Sequence, residues 1–367
     1  MSASRRNRFF AAILLIVCAA VAARAQSRFY AIGADVSYLA QCERDGVVFR
    51  EDGQPRDVLA MLAEHHYNWA RLRLFVDPAR SPDRLPNDLA YTLALARRAH
   101  AMGFHLLLDL HYSDSWADPD KQTMPAAWRG QKHKQLVETV HDYTRDVIAR
   151  FRAEGVMPDM VQVGNEITQG MLWPDGKLPD NWDNLADLLR AGIRGIDDGR
   201  GTARRPLIMI HIERSGSYEA AQWYYDTLIA HHVTFDVIGL SYYPFWHGPI
   251  ARMRANLHDL AIRYHMPIIV VETAFNWKPA AGATHHFDFP ESPAGQLEEL
   301  KAVDAAVRAI PGGLGWGVFW WEPAAEHELG ARSFFDDQGN VLPVIRAFDS
   351  APAAQGPVSS PASVPER

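Results

Sequence analysis

The 367-residue chain is 48% apolar, 11% aromatic and 22% charged, with a formal net charge of −7. This composition excludes a disordered or fibrous protein and is typical of a chain that buries a large core. The acidic balance argues against a nucleic-acid or anionic-membrane partner, and two cysteines, Cys18 and Cys42, are too few for a disulfide framework.

Residues 1–25 are predicted to be a signal peptide. Arginines precede an apolar run at 9–23, and Ala23-Arg24-Ala25 supplies small residues at the −3 and −1 positions of a cleavage site. An uncleaved anchor is disfavoured because spanning a bilayer takes about 20 apolar residues. A lipid-modified Cys18 is disfavoured because the bulky Val17 precedes it. The mature protein is therefore expected to be secreted or periplasmic, without a membrane partner after cleavage.

Short apolar runs alternate with longer segments of helical periodicity, a pattern typical of βα units around a parallel sheet. Two of the helical segments, 87–102 and 131–154, are each followed by a glycine, as helices commonly are. Eight runs are predicted to be strands: 29–39, 69–76, 104–111, 160–166, 207–213, 235–244, 267–275 and 315–323.

Eight strands over residues 27–349 predict an α/β fold, a single (β/α)8 TIM barrel with long βα loops. A doubly wound open sheet is the alternative, which the lack of a Gly-x-Gly-x-x-Gly motif after the first strand disfavours. Residues 350–367 are rich in Pro, Ala and Ser and are predicted to be a disordered tail.

Two glutamates directly follow apolar strand residues, where an unpaired carboxylate is costly to bury. Glu166 ends the fourth run and Glu272 lies near the end of the seventh. In a barrel they are expected to face each other across the mouth, as in a retaining glycosidase, whose carboxyl groups stand roughly 5–5.5 Å apart. Glu166 is then the acid/base and Glu272 the nucleophile. A pair of salt-bridged rim residues is the structural alternative.

Neighbouring polar residues have predicted roles in the same reaction. Asn165 is expected to hold a sugar hydroxyl whose hydrogen bond strengthens in the transition state. Arg71 is expected to lower the pKa of Glu272 by charge attraction, with a structural ion pair elsewhere as the alternative.

Tryptophans in the predicted loops are candidate stacking platforms for sugar rings. Trp116 and Trp173 are the first candidates, and Trp246 and Trp277 are secondary ones. Packing within the loops is the alternative, because a buried tryptophan is also an ordinary loop anchor.

Several segments together resemble glycoside hydrolase family 53, the endo-β-1,4-galactanases, over residues 29–348. They are GADVS (33–37), VFREDG (48–53), RLRLFVDP (71–78), DLHYSDSWADP (109–119), GNE (164–166), SYYP (241–244), VVET (270–273) and WWEP (320–323). The run at 109–119, which begins with Asp109, is the most specific of these. The resemblance implies cleavage of β-1,4-galactan side chains of pectic type I arabinogalactan with retention of configuration.

The resemblance also implies site residues. It gives Glu166 the acid/base position, Glu272 the nucleophile position and Arg71 the position of the family's strand-two arginine. Further substrate-binding candidates follow from matching positions: Asp109, His111, Tyr243 and Trp321.

Two loops depart from the family's pattern. Residues 211–216 read HIERSG where the family usually has a short Asp-containing turn, and the loop after 275–277 contains few acids. The number of subsites and the product length therefore stay open, since loops on this face shape the groove.

No metal and no cofactor is expected. The 16 histidines include adjacent pairs, but adjacent side chains point in different directions, and no His-Glu-x-x-His motif occurs. Residues 277–289 offer a single carboxylate, Asp288, so the calcium site of some bacterial relatives is expected to be missing, although Asp336 and Asp337 leave room for a weak one.

Three rival functions stay open at this point. The first is another retaining barrel β-glycanase, of mannanase or cellulase type. The second is a metal-dependent barrel isomerase or hydrolase with His111, His211, Glu166 and Glu272 as ligands. The third is a catalytically silent carbohydrate-binding protein. A monomer is expected, because no coiled-coil or apolar repeat suggests assembly.

Overall fold

The computed structural model describes residues 30–83, 85–279, 286–325 and 330–350. The predicted signal peptide and C-terminal tail lie outside the described residues. Within Ala31–Ser350, eight parallel strands close into one barrel, which confirms the predicted fold and overturns the doubly wound alternative. The strands are β1 (Ala31–Asp35), β2 (Trp69–Leu74), β3 (His105–Leu110), β4 (Met160–Val163), β5 (Leu207–Ile212), β6 (Val237–Tyr242), β7 (Ile268–Thr273) and β8 (Gly315–Trp321).

Each strand pairs with its neighbours in sequence, and β1 pairs with β8 to close the barrel. Every predicted run contains one of these strands. The runs extend a few residues past the strands at their carboxyl ends, where polar residues begin the loops.

Helices connect and surround the strands. They are α1 (Leu39–Arg44), α2 (Val58–Glu64), α3 (Leu89–Ala101), α4 (His133–Ala153), α5 (Trp182–Gly199), α6 (Tyr218–Ala230), α7 (Pro244–His247), α8 (Ile250–Tyr264) and α9 (Pro293–Arg308). Short 3-10 turns occur at Pro78–Arg80, Ala126–Trp128, Ile167–Gln169, Pro311–Gly313, Gly330–Arg332 and Pro343–Phe348. Two small hairpins pair Arg50–Glu51 with Gln54–Pro55 and Gly170–Met171 with Gly176–Lys177. Among the described residues, no helix has the length and apolar character needed to cross a membrane.

Local sequence explains the helices that were predicted. The Asp88 side chain accepts a hydrogen bond from the backbone N–H of Tyr91 and so caps α3. The apolar residues of α4 recur at helical spacing and are buried. Helix α5 approaches α4 closely, because a Cβ at Gly195 would lie 2.6 Å from the carbonyl oxygen of His141. Glycine is therefore required for this contact.

The end of β4 aims the first predicted catalytic residue. Gly164 has φ +87°, and a Cβ there would lie 2.8 Å from Cγ2 of Ile167. Glu166 then adopts the left-handed conformation, with φ +49° and ψ +49°. A non-glycine residue in this region is uncommon and costs free energy, which is typical of residues held in place for function.

Candidate active site

A cavity of about 910 Å³ opens at the carboxyl ends of the barrel strands. Its lining includes eight of the ten predicted site residues: Arg71, His111, Trp116, Asn165, Glu166, Tyr243, Glu272 and Trp321. Asp109 and Trp173 are not among the lining residues. The strand ends thus bring together the predicted site residues at one cavity, except for Asp109 and Trp173.

Arg71 is the centre of a buried polar network beneath the cavity floor. Its side chain is 1% exposed and its guanidinium lies 2.8 Å from Oδ2 of Asp35, 2.9 Å from Oδ2 of Asp109 and 2.8 Å from Oε1 of Glu272. Burial disfavours its charge, but the nearby carboxylates outweigh burial and raise its pKa. Arg71 therefore pairs with the structural carboxylates of Asp35 and Asp109 and also contacts Glu272, so both of its predicted roles belong to one cluster.

Two donors hold the carboxylate of Glu272. Arg71 contacts Oε1, and the hydroxyl of Tyr243 donates a hydrogen bond of 2.9 Å to Oε2. Burial nevertheless raises the pKa of Glu272, although Arg71 and Tyr243 act to lower it. Arg71 thus acts on this pKa in the expected direction, but Glu272 is only 4% exposed and its desolvation exceeds the attraction, so the net shift is upward.

Glu166 has fewer partners than Glu272. It is partly exposed, and Oε1 lies 2.6 Å from the hydroxyl of Ser241 on β6. Burial, followed by the negative charges of Glu272 and Glu213, raises the pKa of Glu166 well above its usual value. The site therefore favours a proton on Glu166 over one on Glu272.

Asn165 lies within the Arg71 network. Its Oδ1 accepts hydrogen bonds from Arg71 at 2.9 Å and from Gln162 at 3.0 Å, and its Nδ2 donates to the carbonyl oxygen of Ala117 at 2.9 Å. Asn165 is 6% exposed and lines the cavity. Its amide orientation is fixed, because Arg71 can only donate.

Asp109 supports the site from below. It is fully buried, and its Oδ2 lies 2.9 Å from Nε2 of His111. The backbone N–H of Ala117 donates to Nδ1 of His111, so Nε2 carries the proton that Asp109 accepts. Burial opposes ionisation of Asp109, but Arg71 and His111 lower its pKa to about 2. Asp109 therefore orients His111, and its covered carboxylate argues against the predicted contact with substrate.

Aromatic rings form a continuous wall along the cavity, which we call the aromatic wall. The wall consists of Tyr38, Trp116, Trp321, Tyr243 and Trp246, with successive ring centroids 6.0, 6.1, 6.3 and 5.2 Å apart. Flat apolar surfaces at this spacing can stack on successive sugar rings.

A second buried arginine supports one end of this wall. The guanidinium of Arg73 lies 4.3 Å from the ring centroid of Tyr38 and 4.4 Å from that of Trp116. It also pairs with Glu322, which follows β8. These cation–π contacts fix Trp116, whose predicted place beside the sugar site agrees with the cavity lining.

Of the other tryptophans, a secondary candidate lines the cavity and a first candidate does not. Trp246 is 65% exposed and lines the cavity, whereas Trp173 does not line it. The indole N–H of Trp173 donates to the carbonyl oxygen of Gln169, and Lys177 lies 4.4 Å over its ring. Trp277 lies under Lys278 at 4.5 Å and is also absent from the lining. Trp246 is thus the better platform candidate. The contacts of Trp173 favour a loop anchor over the predicted platform.

Glu213 is a cavity residue that the sequence-based predictions did not include among the site residues. This residue is 7% exposed, lines the cavity and accepts a hydrogen bond of 2.6 Å from Thr168. It lies in the loop that departs from the family's pattern, so no resemblance pointed to it. Its position two residues after the buried His211 at the end of β5 was the available signal.

The metal-dependent alternative does not fit the histidines. Both ring nitrogens of His111 and of His211 contact protein groups, so neither ring presents an uncommitted nitrogen. Among the described residues, no group of three or more His, Cys, Asp or Glu side chains could hold a metal ion.

The residues of the candidate calcium site have other partners. Asp336 accepts hydrogen bonds from the backbone N–H groups of Gln338 and Asn340, and Asp337 pairs with Lys278 at 2.6 Å. Asp288 accepts from the backbone N–H of Ile250. The missing calcium site stays a prediction.

A closed (β/α)8 barrel with glutamates at the ends of β4 and β7 and an aromatic wall defines the class of barrel glycoside hydrolases. The family model described as Glycosyl hydrolase family 53 matches residues 31–348. The chain belongs to this family and is a glycoside hydrolase.

Individual relatives agree with this assignment. An uncharacterized protein in the bgaB 5′ region of Niallia circulans is 41% identical to this chain, over an alignment that covers 80% of this chain and 84% of that protein. A probable arabinogalactan endo-β-1,4-galactanase A of Aspergillus terreus is 37% identical over 83% of this chain and 88% of its own. A solved fungal β-1,4-galactanase superimposes with a TM-score of 0.81 at 31% identity, covering 88% of this chain and 99% of its own.

Proposed function

We propose that this protein is a retaining endo-β-1,4-galactanase in which Glu166 is the acid/base and Glu272 the nucleophile. The observation that carries the proposal is the difference between the two carboxylates within one cavity. Glu272 is held between a guanidinium and a phenol, whereas the second carboxylate has a serine hydroxyl as its hydrogen-bonding partner and a strongly raised pKa. This is the division into one ionised and one protonated carboxylate that double displacement needs.

The reaction follows from these two states. Glu272 attacks the anomeric carbon while the glycosidic C–O bond breaks, and Glu166 gives its proton to the departing oxygen. Water then attacks the glycosyl-enzyme, Glu166 takes the proton of that water, and the carboxylate of Glu272 is released. Arg71 and Tyr243 keep Oε1 and Oε2 of Glu272 oriented throughout.

A β-1,4-galactan substrate is supported by the names of the curated relatives. The aromatic wall extends to Trp246, away from the buried polar network, and so offers stacking surface for more than one sugar unit. A surface of this kind suits a polysaccharide bound along the cavity and cleaved within the chain. Galactan of pectic type I arabinogalactan is the substrate that this proposal names.

The proposal includes export and a monomeric state. The arginines and apolar run of residues 1–25 support a signal peptide, and therefore a secreted or periplasmic enzyme that meets polysaccharide outside the cytoplasm.

The test is hydrolysis of a panel of pure polysaccharides: linear β-1,4-galactan, mannan, xylan and cellulose. We expect galactan to be cleaved to oligosaccharides, with a rapid fall in viscosity that marks internal cleavage. A protein carrying both Glu166→Gln and Glu272→Gln controls for contaminating enzymes. Preferential cleavage of mannan or cellulose would make the chain another type of β-glycanase, and binding of galactan without any hydrolysis would favour a carbohydrate-binding protein.

A further inference from the structure

Three buried side chains form a chain of hydrogen bonds that ends at Glu166: Asn165 follows β4, His211 lies in β5 and Ser241 lies in β6. Nδ1 of His211 lies 3.0 Å from Oδ1 of Asn165, and Nε2 of His211 lies 2.8 Å from the hydroxyl oxygen of Ser241. The same oxygen lies 2.6 Å from Oε1 of Glu166. His211 and Ser241 are both fully buried, so the protein alone determines where their hydrogens lie.

The direction of this chain follows from Asn165. Its Oδ1 faces the guanidinium of Arg71, which can only donate, so this atom is an acceptor. His211 must therefore donate to it from Nδ1. Burial and the charge of Arg71 lower the pKa of His211 well below its usual value, so the ring is neutral and Nε2 is an acceptor.

The single hydrogen of Ser241 then has two competing acceptors. It can point to Nε2 of His211 or to Oε1 of Glu166, but not to both. When Glu166 is protonated, its O–H donates to Ser241, Ser241 donates to His211, and every group is satisfied. When Glu166 is ionised, Ser241 turns to the carboxylate and Nε2 of the buried imidazole loses its donor, which is costly.

We propose that His211 and Ser241 are positioning residues that hold the proton on Glu166 through this one-directional chain. The proposal rests on the proposed function in one respect, namely that this proton is the one Glu166 gives to the leaving group. On proton transfer to the glycosidic oxygen, the Ser241 hydroxyl rotates from His211 to the new carboxylate. When the carboxylate takes a proton from water, the hydroxyl rotates back, so no other proton moves.

The chain makes a specific prediction for His211→Leu. Ser241→Ala would delete two neutral hydrogen bonds from the protonated state of Glu166 and one charge-assisted bond from the ionised state, and these losses oppose each other. His211→Leu removes only the competing acceptor and leaves Ser241 free to donate to the ionised carboxylate. The alkaline limb of kcat/KM should therefore shift to lower pH, by about one unit for a single neutral hydrogen bond.

Thr144→Val is the matched control. It deletes a fully buried hydroxyl on α4 that contacts Tyr112 and the carbonyl oxygen of Val140, away from the cavity lining. The acid and alkaline limbs of kcat/KM in this variant should lie at the same pH values as in the parent protein. An alkaline limb that moves to higher pH in His211→Leu, or that does not move, overturns the proposal.

A second measurement does not depend on activity. The imidazole ¹⁵N spectrum of the intact protein, with the His211 signal assigned by its loss in His211→Leu, is followed from pH 4 to 9. We expect a neutral Nδ1–H tautomer throughout, with a shift of the Nε2 resonance as Glu166 ionises that is absent in Glu166→Gln. An Nε2–H tautomer or a charged ring in this range overturns the proposal, whatever substrate the enzyme cleaves.

Discussion

The hydroxyl of Tyr243 donates a hydrogen bond of 2.9 Å to Oε2 of Glu272, on the opposite carboxylate oxygen from Arg71. The two donors come from different strands, since Tyr243 follows β6 and Arg71 lies in β2. Both oxygens are thus fixed before substrate arrives. Fixing a nucleophile in advance lowers the barrier, because little reorientation remains for the reaction itself.

Tyr243→Phe tests the contribution of this hydrogen bond. A bond to a charged group is worth about 1.5–3 kcal/mol, so kcat/KM should fall roughly 10- to 100-fold. Because the phenol acts to lower the pKa of Glu272, its loss should also move the acid limb to higher pH. Steady-state kinetics across pH provide the measurement, with the melting temperature as a control for folding. An unchanged acid limb would mean that Tyr243 has no electrostatic role.

The dependence of kcat/KM on pH should be bell-shaped and displaced upward. Activity needs ionised Glu272, so it is lost as pH falls through the pKa of that residue, and it needs protonated Glu166, so it is lost as pH rises through the other pKa. Burial raises both pKa values, and that of Glu166 is raised well above its usual value. The acid limb should therefore lie above about 4.3, the ordinary pKa of glutamate.

An aryl galactoside whose leaving group needs no proton separates the two limbs of this profile. With Glu166→Gln and this substrate, the alkaline limb should vanish from kcat/KM while the acid limb remains. Persistence of the alkaline limb in that variant would show that another group produces it.

The exposed ring of Trp246 should contribute to binding, whereas Trp173 should not. Stacking contributes about 0.5–1.5 kcal/mol, so Trp246→Ala should raise KM for galactan roughly three- to tenfold with little change in kcat. Trp173→Ala is the matched control and should leave KM unchanged while lowering the melting temperature, since its ring anchors a loop. The reverse pattern in KM would restore the original prediction for Trp173.

Calcium should not stabilise this protein. Asp337 is paired with Lys278, and Asp336 closes a turn, so neither offers a free carboxylate. A ligand bound only by the folded state raises stability by RT ln(1 + [L]/Kd), so a missing site predicts the same melting temperature in millimolar calcium and in excess chelator. A rise of several degrees that Asp336→Ala abolishes would reveal a site.

Strand positions and the central pair of glutamates could be predicted because they depend on local pattern. An apolar run followed by a carboxylate, as at Glu272, is readable along the chain, and a closed barrel brings strand ends together. The orientation of Trp173 and Trp246 could not be predicted in this way. It depends on loop contacts such as the hydrogen bond to Gln169, which have no sequence period.

The net pKa shift of Glu272 was unpredictable for a different reason. Its sign depends on whether desolvation or the nearby cation is larger, and both grow as the site becomes more buried. The hydrogen bonds that link Asn165, His211 and Ser241 could not be predicted either. They join side chains at the ends of three different strands, and only the closed barrel brings these side chains into contact.

The most direct test of the central claim is azide rescue of alanine variants at the two glutamates, with the anomeric configuration of the product determined by NMR. Glu272→Ala and Glu166→Ala should each lower kcat on galacto-oligosaccharides by about 10³ or more. With an aryl galactoside, whose leaving group needs no proton, azide should restore turnover in both, giving an α-galactosyl azide with Glu272→Ala, by a single displacement, and a β-galactosyl azide with Glu166→Ala, through the glycosyl-enzyme. Near-parental turnover without azide, or a β-configured product from Glu272→Ala, would contradict the assignment of nucleophile and acid/base.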